Sequence, residues 1–165
     1  MRVILFFIVF TAIQSFGFAN LRGDTTQVED EEFSYKSRDL VGVGMWTGAA
    51  SGSGASVRFN PGGKNFILQL TGYYYSMDTT QSSSIGVAGI VPLYSDHRSR
   101  YYAMMAVANY VDSGLKSRNR IGASLGAEWM AWNRLSLNIT IDVFTWFDDG
   151  TKISPLASAG IYVYI

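Results

Sequence analysis

The stretch LSLNITIDVF, Leu135 to Phe144, alternates between two kinds of side chain. Leu135, Leu137, Ile139, Ile141 and Val143 fall on one face of an extended chain, and Ser136, Asn138, Thr140 and Asp142 fall on the other. Period-two alternation over this length is the pattern of a β-strand with one apolar and one polar face. In water the apolar face turns inward; in a bilayer it turns outward. Which way it turns decides what kind of protein this is.

The N-terminus bears on the question. Residues 1–19 read as a cleavable secretory signal: Arg2 supplies the positive start, Val3 to Ile13 the apolar run, and Gly17 and Ala19 the small residues before the cut. The run is too short to span a bilayer comfortably as an anchor helix. Residues 20–39 are polar, carry the acidic run EDEE and lack periodicity, so a flexible lead-in is expected, with the domain over 40–165. Thirteen basic residues balance 13 acidic ones, and loss of Arg2 leaves a formal −1. That balance offers no field for nucleic acid, so no nucleic-acid partner is expected. There is no Cys, which removes disulfides, thiolate zinc sites and lipoprotein acylation.

From Leu40 onward, extended segments alternate with turn signals. Strands are predicted over Leu40–Ala49, Ala55–Asn60, Asn65–Ser76, Ser83–Tyr94, Tyr101–Asp112, Ile121–Ala131, Leu135–Phe147 and Ile153–Ile165. The connections SGSG, PGGK, MDTTQ, SDHRSR, SGLKSRNR, WNR and DDGTK have the Gly, Ser, Asn, Asp and Pro content of hairpin turns. Eight strands joined only by hairpins form an antiparallel meander, and a meander of that size closes into an up-and-down barrel without edges. The fold class expected is therefore all-β, an eight-stranded antiparallel up-and-down barrel.

Two barrel families fit that outline and answer the opening question oppositely. Gly44-Met45-Trp46 resembles the Gly-x-Trp signature on the first strand of lipocalins, secreted carriers with an apolar interior. An outer-membrane barrel has the apolar face outside and polar or small residues inside. Charge decides between them. Only 16% of the chain is Asp, Glu, Lys or Arg, too little to decorate a water-facing exterior. The polar faces instead carry small residues suited to a narrow interior, such as Gly122, Ser124 and Gly126 opposite Ile121, Ala123 and Leu125. Aromatic residues gather toward the strand ends, with Trp46, Tyr73–Tyr75, Tyr110, Trp146 and Phe147 at one and Tyr94, Tyr101, Tyr102, Trp129, Trp132 and Tyr164 at the other. Two girdles at headgroup level are expected of a transmembrane barrel.

The segment Gly122 to Phe144 resembles the penultimate hairpin of small OmpA/OmpX-type outer-membrane barrels. Residues 158–165, SAGIYVYI, resemble the outer-membrane β-signal through Ser158, Gly160, Val163 and Ile165, although family members usually finish on Phe or Trp. The resemblance implies an outer-membrane location and two partners: outer-membrane lipids, and the assembly machinery that reads the C-terminal strand. It leaves any partner of the surface loops unnamed.

No catalytic constellation stands out. His97-Arg98-Ser99 resembles the His-x-Ser of the outer-membrane lipid A deacylases, but a nucleophilic Ser needs a His base and an orienting acid, and no acid follows at convincing spacing. A solvated turn is expected there instead. No cofactor, metal or enzymatic activity is expected. The residues singled out are the polar and charged ones assigned to the lumen, Arg58, Glu128, Asp142 and Asn138. Arg58 and Glu128 are expected to pair across it, and Asp142 to bond to hydroxyls, amides or water. The lumen of an eight-stranded barrel is just wide enough for side chains to fill, so a structural or interactive role is expected rather than a wide pore. The alternatives are a lipocalin-like carrier of a small apolar ligand and, third, a lipid-modifying barrel enzyme.

Overall fold

The computed structural model describes residues 40–61, 66–77, 80–112, 117–132, 134–147 and 153–165. The expected signal (1–19) and lead-in (20–39) lie outside the described residues. Eight strands follow one another: β1 (Leu40–Gly48), β2 (Gly52–Asn60), β3 (Ile67–Met77), β4 (Thr80–Ser95), β5 (Ser99–Val111), β6 (Arg118–Trp132), β7 (Leu135–Trp146) and β8 (Ser154–Tyr164). Each pairs antiparallel with the next, and β1 pairs with β8 to close the barrel. This is the architecture expected from the alternating sequence.

The faces are sorted inside out relative to a water-soluble barrel. On β7, Leu137, Ile139, Ile141 and Val143 are exposed, while Ser136, Asn138, Thr140 and Asp142 are buried. The same parity holds on β2, where Val57 and Phe59 point out and Ser56, Arg58 and Asn60 point in, and on β8, where Ile161, Val163 and Ile165 point out and Ser158, Tyr162 and Tyr164 point in. An aliphatic outer band over a polar interior is stable only where the surroundings are as apolar as the side chains. The apolar face turns outward.

The strands run further than their turn signals indicate. Gly52–Gly54, Ser99–Arg100 and Arg118–Arg120 are ladder residues rather than loop. Cross-strand pairing outweighs the weak turn preference of single polar residues once a neighbouring strand is in register. Two irregularities mark local breaks. The β4–β5 register shifts between Pro92 and Tyr94, beside a residue with no N–H to give the ladder, and the β6–β7 register shifts between Met130 and Trp132.

The girdles are thinner than expected. Phe59, Phe66, Tyr94, Tyr101, Trp129 and Trp132 are exposed at the end that carries Leu40 and Ile165, and Tyr74, Tyr75 and Phe147 at the opposite, far end. Trp46, Tyr102 and Tyr164, however, are buried inside, and Tyr110 and Trp146 are half-buried around a lumenal arginine. Strand parity explains the difference. Trp46 shares its face with Gly42, Gly44 and Gly48, and Tyr164 shares its face with Ser158 and Gly160; small neighbours leave room for one large ring inside.

Candidate functional site: the polar lumen

Every strand contributes inward side chains, and they assemble into two linked polar layers. The layer nearer the chain termini centres on Arg58 of β2 and Glu128 of β6. Arg58 Nη1 lies 3.3 Å from Glu128 Oε2 and donates to Asn138 Oδ1 at 2.8 Å, and its Nε donates to Gln69 Oε1 at 2.7 Å. Glu128 Oε1 accepts from Ser136 Oγ at 2.6 Å and from Tyr164 Oη at 2.7 Å. Tyr102 Oη donates to Asn138 Oδ1 at 3.1 Å. Arg58 Nη2 has no hydrogen-bond acceptor among the described residues, but the guanidinium carbon lies 4.0 Å from the Tyr162 ring centroid. The negative face of that ring offsets part of the lost hydration.

Arg100 completes this layer and was not singled out from the sequence, where it falls in a turn-like string. It sits directly opposite Glu128 in the β5–β6 register, with Nη1 3.7 Å from Oε2. Arg58 and Arg100 are 1% exposed and Glu128 is 0% exposed, so one carboxylate faces two guanidinium groups away from water. Parity placed Arg100 on the face of Tyr102 and Met104. Both faces of β5 are apolar, so alternation alone did not say which was inside.

The far layer is organised by Asp142. It accepts from Thr140 Oγ1 at 2.7 Å, from Ser158 Oγ, and from the backbone N–H of Ala49 at 3.3 Å. The last contact is not legible in the sequence, where Ala49 ends the first predicted strand and SGSG reads as a plain hairpin turn. The turn between β1 and β2, Ala49–Ser51, is buried inside the barrel. Tyr110 Oη donates to Gly48 O at 2.6 Å and to Ala49 O at 3.2 Å, and Arg120 Nη1 donates to Ala49 O at 3.1 Å. Trp46 Nε1 donates to Ser51 Oγ at 2.7 Å. Glycines make the space: a Cβ on Gly86 would lie 2.2 Å from Ser51 O, and one on Gly122 would lie 2.6 Å from Ala50 Cβ.

Arg58, Glu128 and Asn138 are thus brought into direct contact, with Asp142 in the adjoining layer. Ser158 faces the lumen beside Asp142, and Gly160 lies under Trp46, where a Cβ would come 2.2 Å from the indole. Val163 and Ile165 face outward. Gly126 is just as confined, since its Cβ would lie 2.5 Å from both the Tyr102 ring and Thr140 Cγ2. Gly126→Val is expected to destabilise the barrel by roughly 1–3 kcal/mol through overpacking. A urea midpoint unchanged from wild type in lipid vesicles would contradict this packing.

The tripeptide Gly44-Met45-Trp46 has a packing cause here. A Cβ on Gly44 would overlap Ile161 O of the closing strand at 1.9 Å, and Trp46 covers Arg58 at 5.3 Å. A lumen crossed by buried charges is the reverse of a lipocalin's apolar cavity, so the carrier alternative is not favoured. His97 is exposed in the β4–β5 turn, its N–H bonded to Asp96 Oδ1 at 2.6 Å. Among the described residues no group of three or more His, Cys, Asp or Glu is placed to hold a metal.

No protein-family model and no curated protein matches the chain by sequence. Among solved structures, the backbone structure of the Yersinia pestis outer membrane protein Ail in a phospholipid bilayer nanodisc superposes with a TM-score of 0.50. The alignment covers 78% of this chain and 99% of that one at 7% identity. The crystal structure of Ail, the attachment invasion locus protein of Yersinia pestis, gives a TM-score of 0.36 at 8% identity over 78% and 96% of the two chains. At such identity the likeness to the nanodisc structure is one of fold.

Proposed function

We propose that this protein is an integral outer-membrane β-barrel that acts through its surface, as a scaffold or interaction protein, and not as a wide pore. The observation that carries the reading is the lumen: Arg58, Arg100, Glu128, Asn138 and Tyr164 pack across one level of the barrel, and the β1–β2 turn fills the next. The outward aliphatic band supports burial in lipid, and the fold shared with a bilayer-embedded protein supports the same placement. The outer membrane is the compartment that takes closed barrels exported through a signal sequence. Ser158, Gly160, Val163 and Ile165 then serve as the strand read by the assembly machinery.

The test is direct. Unboiled protein from the outer-membrane fraction should migrate anomalously on a gel and shift on heating, and planar bilayers should show no large steady conductance. Recovery as a detergent-free soluble protein would end the reading, and sustained large openings would make the protein a pore. With both chain ends in the periplasm, a tag inserted at exposed Ser117 should be reachable on intact cells and one at exposed His97 should not. The reverse labelling would invert the orientation and leave the barrel intact.

A further inference from the structure

The inserted β1–β2 turn leaves a mark on the barrel wall. On one side, β1 pairs with β8 only from Gly42 opposite Tyr164 to Thr47 opposite Ala159. On the other, β2 pairs with β3 only from Ala55 opposite Gly72 to Phe59 opposite Leu68. Yet β3 continues to Met77, paired there with β4 alone, and β8 begins at Ser154, paired there with β7 alone. Two ladder edges at the far end, Tyr73–Met77 and Ser154–Ser158, therefore have no strand beside them among the described residues. The strands that would cover them are the tips of β1 and β2, folded inward.

The inward bend occurs at two glycines. Gly52 has φ +84° and Gly54 has φ +121°, both in the region that side chains disfavour. Beyond Gly54 the chain crosses inside the wall: a Cβ on Gly52 would lie 3.1 Å from Ser84 Oγ and 3.2 Å from Gly86 N, and Ser53 N–H donates to Ser84 Oγ at 3.1 Å. The turn is then held by Tyr110, Arg120, Asp142 and Ser158, each from a different strand.

We propose that the β1–β2 tip is a two-position latch. In the position observed it plugs the far half of the lumen. In the other it swings outward and completes the wall, with Gly54, Ser53 and Gly52 opposite Tyr73, Tyr74 and Tyr75, and Gly48 opposite Ser158, by continuation of the present registers. The exchange trades side-chain hydrogen bonds to the turn for backbone ladder bonds along two edges. Bonds of similar net strength replace one another, which is the condition for two populated states. Glycine at 48, 52 and 54 lets the backbone accept both paths without a Cβ blocking either. The outward position opens a cup lined by Asp142, Ser158, Tyr110 and Arg120. It does not open a through-pore, because the Arg58–Glu128 layer stays below. The inference rests on the lumenal position of the turn, independently of which membrane holds the barrel.

The chain has no Cys, so paired substitutions report each position separately. In folded protein in lipid vesicles, checked by heat-modifiable gel mobility, Ala49→Cys with Ser158→Cys traps the inward position, and Ser53→Cys with Tyr74→Cys the outward one. Both disulfides should form under mild oxidant, the second more slowly. Adding Tyr110→Phe removes the hydroxyl proton shared between Gly48 O and Ala49 O and should speed the second about fivefold, the ratio that one net hydrogen bond of ordinary strength sets. Hydrogen exchange gives a substitution-free reading: the Ala49 amide should exchange through a local opening, faster than that of Val57 at a strand centre. Failure of the 53–74 disulfide in folded protein, or Ala49 exchange at the Val57 rate, overturns the latch.

Discussion

Glu128→Gln is expected to be the most damaging single substitution in the lumen, at about 3–5 kcal/mol of barrel stability. Removing the carboxylate leaves the guanidinium groups of Arg58 and Arg100 buried near each other with no anion between them. Arg58→Met should cost less, because Glu128 then keeps Arg100 as a balanced partner. The lost bonds to Gln69 and Asn138 set its cost. In the Glu128→Gln background, Arg100→Met should restore part of the stability by removing one of the two positive charges that faced the lost carboxylate. Urea unfolding in vesicles, read by the mobility shift, measures these three variants and Arg100→Met alone. Additive losses, or equal losses for Glu128→Gln and Arg58→Met, would show that the three charges do not act as a unit.

The outer face provides the second large effect. Ile139 is 48% exposed near the middle of β7, between outward neighbours Leu137 and Ile141. An arginine there meets the hydrocarbon midplane, and Ile139→Arg should cost roughly 2–4 kcal/mol. Ile139→Leu should be nearly silent. The adjacent Thr140 points to the opposite face, where its hydroxyl donates to Asp142. Thr140→Ser keeps that hydrogen bond and should change stability far less than Ile139→Arg. Equal tolerance of Ile139→Arg and Ile139→Leu in vesicles would mean that Ile139 does not face lipid.

Much of this was legible without coordinates because a β-strand writes its two faces at alternate positions. Leu135 to Phe144 fixed which residues share a side. The scarcity of charge fixed which side meets lipid, since an exterior without Lys and Glu cannot face water. The regular spacing of turn residues fixed the number of strands and hence closure. Arg58, Asn138, Glu128 and Asp142 were recognisable for the same reason, as polar residues on faces otherwise filled by Gly, Ser and Thr.

What only the tertiary structure decided lies in relations between strands, which alternation within one strand does not carry. Arg100 joins the Glu128 layer through a cross-strand register, and register is a relation between segments far apart in sequence. Trp46 and Tyr164 turned inward because facing glycines and small residues on other strands left room for them, and that volume exists only once the barrel closes. The insertion of Ala49–Ser51 depends on five strands at once: Ser84, Tyr110, Arg120, Asp142 and Ser158 bond the tip. A short Gly- and Ser-rich turn looks the same in sequence whether it stands in water or folds into the lumen. Its own conformational freedom permits both, and only partners from distant strands choose between them.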